Sequence, residues 1–346
     1  MLHNHVVIYV TMKNTVWYFI GLDIHKKSTY FAVRDRHGAI VKEGEAPSVY
    51  SELFRRLEPY LFSSRIGLEA TTIYYPLYQG FKQAGYDIHV GNTIHMRQVL
   101  GKNDKLDAAR LAEMLRLESF PESYVPPQEI QKLRTLVRLR HSLMEERNKS
   151  NVRLQAFLSK EGLRLRANPF TKRWLAELKE CINSERAGPE IRHELEHHQY
   201  LAKKVQELNQ EMIQQTRKNY EKELELIKSI KGFGEVLSCY IAAEVLPIER
   251  FKSEKKLRRY AGVAPMFKES GGKSSRGHIP RGSSRPLLRW ALVQAASTTA
   301  TTKTKLGSYY QQKKKQKKSS KLAKIAVASN LTNIIYKVLT TQKPYA

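Results

Sequence analysis

The first hundred or so residues restrict the fold of this chain more than any other feature. Residues 16–24 (VWYFIGLDI), 28–35 (STYFAVRD) and 39–46 (AIVKEGEA) are three strand-like runs, joined by the polar turns HKK and RHG. Connections this short suit antiparallel neighbours, so the runs predict a three-stranded meander. The pattern then changes period. Residues 48–62 (SVYSELFRRLEPYLF) place apolar side chains at helical spacing, 65–70 (RIGLEA) read as a strand, and 73–86 (IYYPLYQGFKQAGY) read as a helix ending at Gly85. A fifth strand candidate, YDIHVGN at 86–92, is followed by a helix, KNDKLDAARLAEMLRL, at 102–117. A meander followed by strand–helix alternation predicts an α/β domain over residues 1–125.

YVPPQE at 124–129 ends that series. One long helix is expected from Gln128 to Leu158, with Leu133, Val137, Met144, Leu154 and Phe157 on one stripe and Arg134, Arg138, Arg147 and Arg153 beside it. GLRLRANPF and the poorly patterned residues up to Pro189 supply breakers, and a second long helix is expected from Glu190 to Ile230. Val205, Leu208 and Met212 recur there at heptad-like spacing, so the pair can fold as an antiparallel hairpin or self-associate as a coiled coil. Residues 126–228 therefore read as a helical, dimerisation-type region. Residues 229–346 read as a third, mainly helical domain. It opens with SIKGFGEVLSCYIAAEV, whose two glycines before an apolar helix resemble a helix–hairpin–helix that can hold a phosphate. A helix around FKSEKKLRRYAG, a polar loop MFKESGGKSSRGHIPRGSS and a helix PLLRWALVQAAS follow. Nine lysines and no acid lie between Lys303 and Lys324, which reads as a basic loop ahead of a final apolar helix.

Charge narrows the function class. The chain carries 60 Lys+Arg against 33 Asp+Glu, a formal charge of +27, which calls for a polyanionic partner such as DNA or RNA. No long uncharged apolar stretch argues for a membrane. The two cysteines are far apart and support neither a zinc site nor a disulfide framework. MLHNHVVIYVTMKN lacks the order of a signal peptide, so a cytoplasmic, nucleoid-associated location is expected.

In so basic a chain, four carboxylates stand out. Asp23 ends the first strand in FIGLD, and Glu69 holds the same position in RIGLEA. Asp104 and Asp107 share one face of a helix start, since three residues make nearly a turn. Each has an ordinary explanation: Asp23 as a turn residue, Glu69 as a surface acid, Asp104 as an N-cap and Asp107 as a first-turn charge. Taken together, two strand ends and one helix start can converge their oxygens on Mg²⁺ or Mn²⁺, hard ions that would relieve the repulsion and serve phosphoryl transfer.

This order of elements and acids resembles a RuvC-like domain of the ribonuclease H superfamily. More specifically, GLDIHK, GLEATTIYY, KNDKLDAARLAE and the later AGVAP…ESGG…RG stretch resemble the Piv/MooV-type insertion-sequence transposases, DEDD recombinases associated with a bridge RNA. The resemblance runs from about Val16 to the C-terminus and is weakest through the central helices. It implies that Asp23, Glu69, Asp104 and Asp107 form the family's metal-binding acidic tetrad. It also implies a catalytic serine in a Glu-Ser-Gly context, here Ser270 in Glu269-Ser270-Gly271. The stretch before Arg276-Gly277 is one residue longer than the family pattern, which leaves Ser274 and Ser275 as neighbouring candidates; the Glu-Ser-Gly context selects Ser270. Lys273 and Arg276 would offset charge on a bound phosphate, and Lys313, Lys314, Lys315, Lys317 and Lys318 would contact nucleic acid.

The resulting expectation is a recombinase acting as a dimer or tetramer on donor and target DNA. It would use Mg²⁺ or Mn²⁺, a phosphoserine intermediate and a structured guide RNA. The alternatives are a junction nuclease that hydrolyses DNA with water, and a non-catalytic nucleic-acid-binding protein. A programmed invertase of the same family also fits.

Overall fold

A computed structural model describes residues 17–96, 104–265, 269–270, 273–274 and 285–345. The chain divides into two compact units, residues 1–125 and 126–346.

The first unit is built on a five-stranded mixed sheet of order β3-β2-β1-β4-β5. β1 (Tyr18–Ile24), β2 (Ser28–Asp35) and β3 (Ile40–Pro47) form the expected antiparallel meander. β4 (Ser64–Glu69) and β5 (Asp87–Gly91) then add in parallel beyond β1. Helices cover both faces. On one side, α1 (Tyr50–Leu61) and α2 (Tyr74–Gln83) turn Leu53, Leu57, Leu61, Leu77 and Phe81 onto Ile20, Leu22, Phe31, Ile66 and Leu68. After the short α3 (Thr93–Met96), α4 (Asp104–Arg116) lies on the other side, against Phe19 and Ala32. Its stripe of Ala108, Leu111, Ala112 and Leu115 is buried. Small residues in that stripe let the helix sit close to the sheet.

Among the described residues, the second unit is helical apart from the pairing of Glu269–Ser270 with Lys273–Ser274. α5 (Gln128–Lys160) and α7 (Pro189–Lys228) are the two long helices, with boundaries close to those expected. They pack as an antiparallel hairpin within one chain: Glu129 is linked to Gln215, Arg140 to Asn209 and Arg153 to Glu194. A non-helical Tyr220 kinks α7.

Two local expectations require correction, and one arginine proves to be a core residue. The region taken as breaker-rich holds a further helix, α6 (Lys172–Asn183), capped by the Thr171 hydroxyl and burying Trp174, Leu178, Cys181 and Ile182. That spacing is helical, but the helix is short and follows an Asn-Pro-Phe break. Arg134, beside the apolar stripe, is buried: it donates from Nε to Ala243 O at 2.8 Å and pairs with the buried Glu244. Finally, the lysine-dense residues do not form a basic loop. They form a helix, because Thr304 caps its start and Leu306 and Tyr310 anchor one side while the lysines face out.

α8 (Glu235–Val245), α9 (Glu254–Tyr260), α10 (Pro286–Thr299), α11 (Lys305–Lys317) and α12 (Ser320–Thr341) complete this unit. A single apolar core joins the ends of α5 and α7 to α8 through α12. The turn between α7 and α8 contains the two glycines of the helix–hairpin–helix-like motif. Gly232 has φ +104°, and a Cβ there would lie 2.8 Å from the Ala295 carbonyl, so this glycine serves packing against α10. The α8 N-terminus also has its own carboxylate, Glu235, paired with Arg217 and Lys228. No described helix is long and apolar enough to cross a membrane.

Candidate metal centre and serine turn

Strand register brings the two strand-end acids side by side. β1 and β4 pair in parallel with Gly21 opposite Gly67 and Leu22 opposite Leu68, and Asp23 and Glu69 are the next residues on each strand. The same tripeptide plan, Gly-Leu-acid, is thus written twice and aligned by hydrogen bonding. Side chains alternate between faces, so Asp23 shares the face of Gly21. That is the face on which α4 lies: a Cβ on Gly21 would meet the Ala108 carbonyl at 2.0 Å and the Ala112 nitrogen at 2.7 Å. Glycine is therefore what lets the helix backbone touch the strand, and the contact sets the height of Asp104 and Asp107 above Asp23.

The structure gathers one atom each from Asp23, His25 and Asp104 within 4.8 Å of one another. His25 Nε2 lies 3.4 Å from Asp23 Oδ2 and 3.2 Å from Asp104 Oδ2. Asp107 is buried, with Arg110 Nη1 donating to its Oδ1 at 3.2 Å, and it stands outside that group. Its charge nevertheless bears on Asp23. Burial pushes the Asp23 carboxyl above the usual carboxylate range; His25 pulls it back, and Asp104 and Asp107 push it further up. Glu69 is half-buried at the end of β4 and is likewise not one of the three. Asp104 opens α4 as a helical residue and half of its side chain is exposed.

His25 is the member of this group that sequence reasoning passed over. Its signal was the position directly after the strand, two residues beyond Asp23 in GLDIHK. The β1–β2 turn fixes it: His25 N donates to Ser28 O at 2.9 Å, and Ser48 Oγ donates to His25 O at 2.6 Å.

Two carboxylate oxygens and an imidazole nitrogen are a donor set that accepts Mg²⁺ or, with its nitrogen, Mn²⁺. The repulsion among Asp23, Asp104 and Asp107 is of the kind a divalent ion removes, so the residues present fit such an ion.

In the second unit, Glu269–Ser270 pairs antiparallel with Lys273–Ser274, with Ser270 opposite Lys273. This is the backbone of a short antiparallel pairing. Arg276 and Ser275 lie outside the described residues. Lys313, Lys314, Lys315 and Lys317 lie on α11, and Lys318 caps it in a left-handed conformation. Most of them are exposed, and their charges sit at the C-terminal end of the helix, where cations are favoured.

Two family models match the chain in succession. Residues 20–161 match a transposase model, the DEDD transposase of the IS110 type, and residues 224–311 match the transposase family IS116/IS110/IS902. The chain is 23% identical to the transposase for insertion sequence element IS1533 of Leptospira borgpetersenii, over 80% of this chain and 84% of that protein. It is 22% identical to the transposase for IS1328 of Yersinia enterocolitica, over 80% and 82%. With the transposase for IS1111A of Coxiella burnetii the identity is 23%, over 78% and 75%.

Proposed function

Because this chain belongs to the IS110/IS116/IS902 family of insertion-sequence transposases, we propose that it cuts and exchanges DNA strands at a divalent-metal centre, with Ser270 as the nucleophile. The observation that carries the metal centre is the meeting of Asp23, from a strand end, with Asp104, from a helix start, around His25. Strand order and the placement of acids on β1 and β4 support reading the first unit as RuvC-like, within the ribonuclease H superfamily.

Asp23 and Asp104 would hold Mg²⁺ or Mn²⁺, with Glu69 and Asp107 as the other members of the tetrad. When bound, such an ion polarises a scissile phosphate and offsets the charge that develops there. Everything else falls to the chain itself. The Ser270 oxygen forms a bond to phosphorus as the ester bond to the departing sugar oxygen breaks. The serine proton leaves to solvent base, and the sugar oxygen takes one up. A sugar hydroxyl of a second strand then attacks the phosphoserine, which restores the phosphodiester and the serine without net hydrolysis. Lys273 and Arg276 supply positive charge beside the serine, and Lys313, Lys314, Lys315, Lys317 and Lys318 contact the phosphate backbone. Charge of this size also supports a structured guide RNA as the source of sequence choice, and a nucleoid-associated location. A dimer or tetramer, in which one protomer's acids serve another's serine, is the proposed assembly.

The test is a cleavage assay on donor DNA with Mn²⁺, read on denaturing gels for free strands and for protein–DNA adduct. Wild type forms an adduct resistant to denaturant, Ser270→Ala forms none, and Asp23→Asn gives neither adduct nor cleavage. If Ser270→Ala still exchanged strands, the serine would be excluded, and metal-assisted hydrolysis by water would become the better account.

A further inference from the structure

In the second unit, a groove of about 500 Å³ opens between α10 and α12, lined by Pro286, Arg289, Trp290, Val293, Lys321, Lys324 and Ile325. Its composition is unusual in two ways. Every polar side chain in the lining is a cation, and none of the three has a carboxylate partner among the described residues. The remaining lining is apolar, with an indole as its largest surface. Trp290 is half-buried and held from behind, its ring centroid 4.7 Å from His141 and 5.2 Å from Tyr240. A ring supported on its inner side keeps its orientation when a ligand arrives.

Electrostatics on the rim point the same way. Lys321 and Lys324 occupy the first turns of α12, where the helix dipole disfavours cations. Two lysines there, with no acid to offset them, raise the local positive potential instead of neutralising the helix end. Acids are absent more widely: Glu269 is the last Asp or Glu of the chain, so residues 270–346 carry cations only. An acidic protein surface would meet the same charge but has no use for the apolar floor. Duplex DNA has phosphates but keeps its base faces stacked.

We infer that the groove between α10 and α12 binds an unpaired segment of single-stranded DNA, with a base against Trp290 and its flanking phosphates on Arg289, Lys321 and Lys324. Stacking on an aromatic ring beside a cationic track is the general means of holding a single strand without reading its sequence. The lining has no carboxylate, amide or hydroxyl side chain that would select for a ribose 2′-hydroxyl, so the commitment to DNA comes from the strand-cutting reading. This inference rests on the strand-cutting reading above, since cleavage and exchange are what expose unpaired DNA. α10 is the first described helix after the serine-bearing strands in chain order.

The experiment uses full-length Asp23→Asn protein in metal-free buffer, so that binding is read without cleavage and failure of the catalytic reading leaves it untouched. Fluorescein-labelled single-stranded DNA of a dozen nucleotides is titrated by anisotropy over a range of salt. Lys321→Gln with Lys324→Gln is expected to weaken binding about tenfold and to lower the salt slope by about 1.4, from two lost phosphate contacts. Trp290→Leu is expected to weaken it about tenfold with little change in slope. Lys337→Gln with Lys343→Gln, outside the groove, controls for lost net charge and is expected to change affinity less than threefold. An oligonucleotide carrying 5-iodouracil should crosslink to Trp290, mapped by mass spectrometry, which tests the site even if Trp290→Leu misfolds. The inference is overturned if the lysine pair changes affinity no more than the control does, or if crosslinks fall only on residues 313–318. It is equally overturned if RNA of the same sequence binds more than tenfold tighter and loses that advantage in the groove variants.

Discussion

His25 Nε2 lies 3.2 Å from Asp104 Oδ2, a contact that ties the turn after the first strand to the first turn of a helix far along the chain. It makes the imidazole the neighbour of two acids, a place in the site that the acidic tetrad alone does not include. If His25 donates its nitrogen to the ion, His25→Ala should weaken Mn²⁺ binding about tenfold by calorimetry, the usual scale for a lost supporting or ligating group. Unchanged or tighter binding would remove His25 from the ligand set.

Gly21 allows α4 to rest on β1, since its Cβ would be 2.0 Å from the Ala108 carbonyl, a backbone atom that cannot rotate away. Gly21→Ala should therefore cost about 3 kcal/mol of stability, toward the upper range for overpacking. It should also move Asp104 off the site. Thermal denaturation together with Mn²⁺ titration checks both parts, and an alanine variant as stable as wild type would contradict the close approach.

His198 gives the second unit a dependence on pH. Burial, chiefly, and then Arg147 and His197 hold its imidazole below the ordinary histidine value, against the pull of Glu194, and its Nδ1 has no hydrogen-bond partner among the described residues. His141 is shifted down by burial in the same way. A folded-state value below the unfolded one means that the unfolded chain takes up protons first. The contribution of each histidine is thus fully present above about pH 6.5 and is lost as pH falls toward its folded value. Replacing His198 by Phe, beside the Phe170 ring at 5.3 Å, should flatten that acid-side loss in urea denaturation midpoints measured from pH 7.5 to 5. An unaltered pH profile would exclude the histidine.

Cys239 is fully buried in the second unit, and burial pushes its thiol up to about 11. At pH 8 about one molecule in a thousand then carries the thiolate, the form that reacts. In a Cys181→Ser background, modification by a disulfide reagent should follow the rate of unfolding and accelerate in urea. Prompt labelling of the native protein would show the site to be open.

What could be read in advance, and what could not, divides along physical lines. The meander over residues 16–46 was legible because β-branched runs and three-residue turns leave the chain few other options. Of the four acids that stand out against so basic a chain, Asp23 and Asp104 are the two that the structure brings together. The partner of Arg134 was not legible, because periodicity places an arginine beside a stripe but does not say that it finds a buried Glu244. The lysine run was misread because its sequence shows charge more plainly than the two anchoring residues, Leu306 and Tyr310, that hold it as a helix.

By itself the sequence determined which acids exist, that two of them end strands of the same Gly-Leu-acid plan, and that two share a helix face. Local propensity and spacing are enough for that. Which acids meet was decided only in three dimensions. Strand register set Asp23 beside Glu69, and the absent side chain of Gly21 let α4 descend until Asp104 reached His25. Those are contacts between segments far apart in the chain, fixed by backbone hydrogen bonding and close packing that no local pattern encodes.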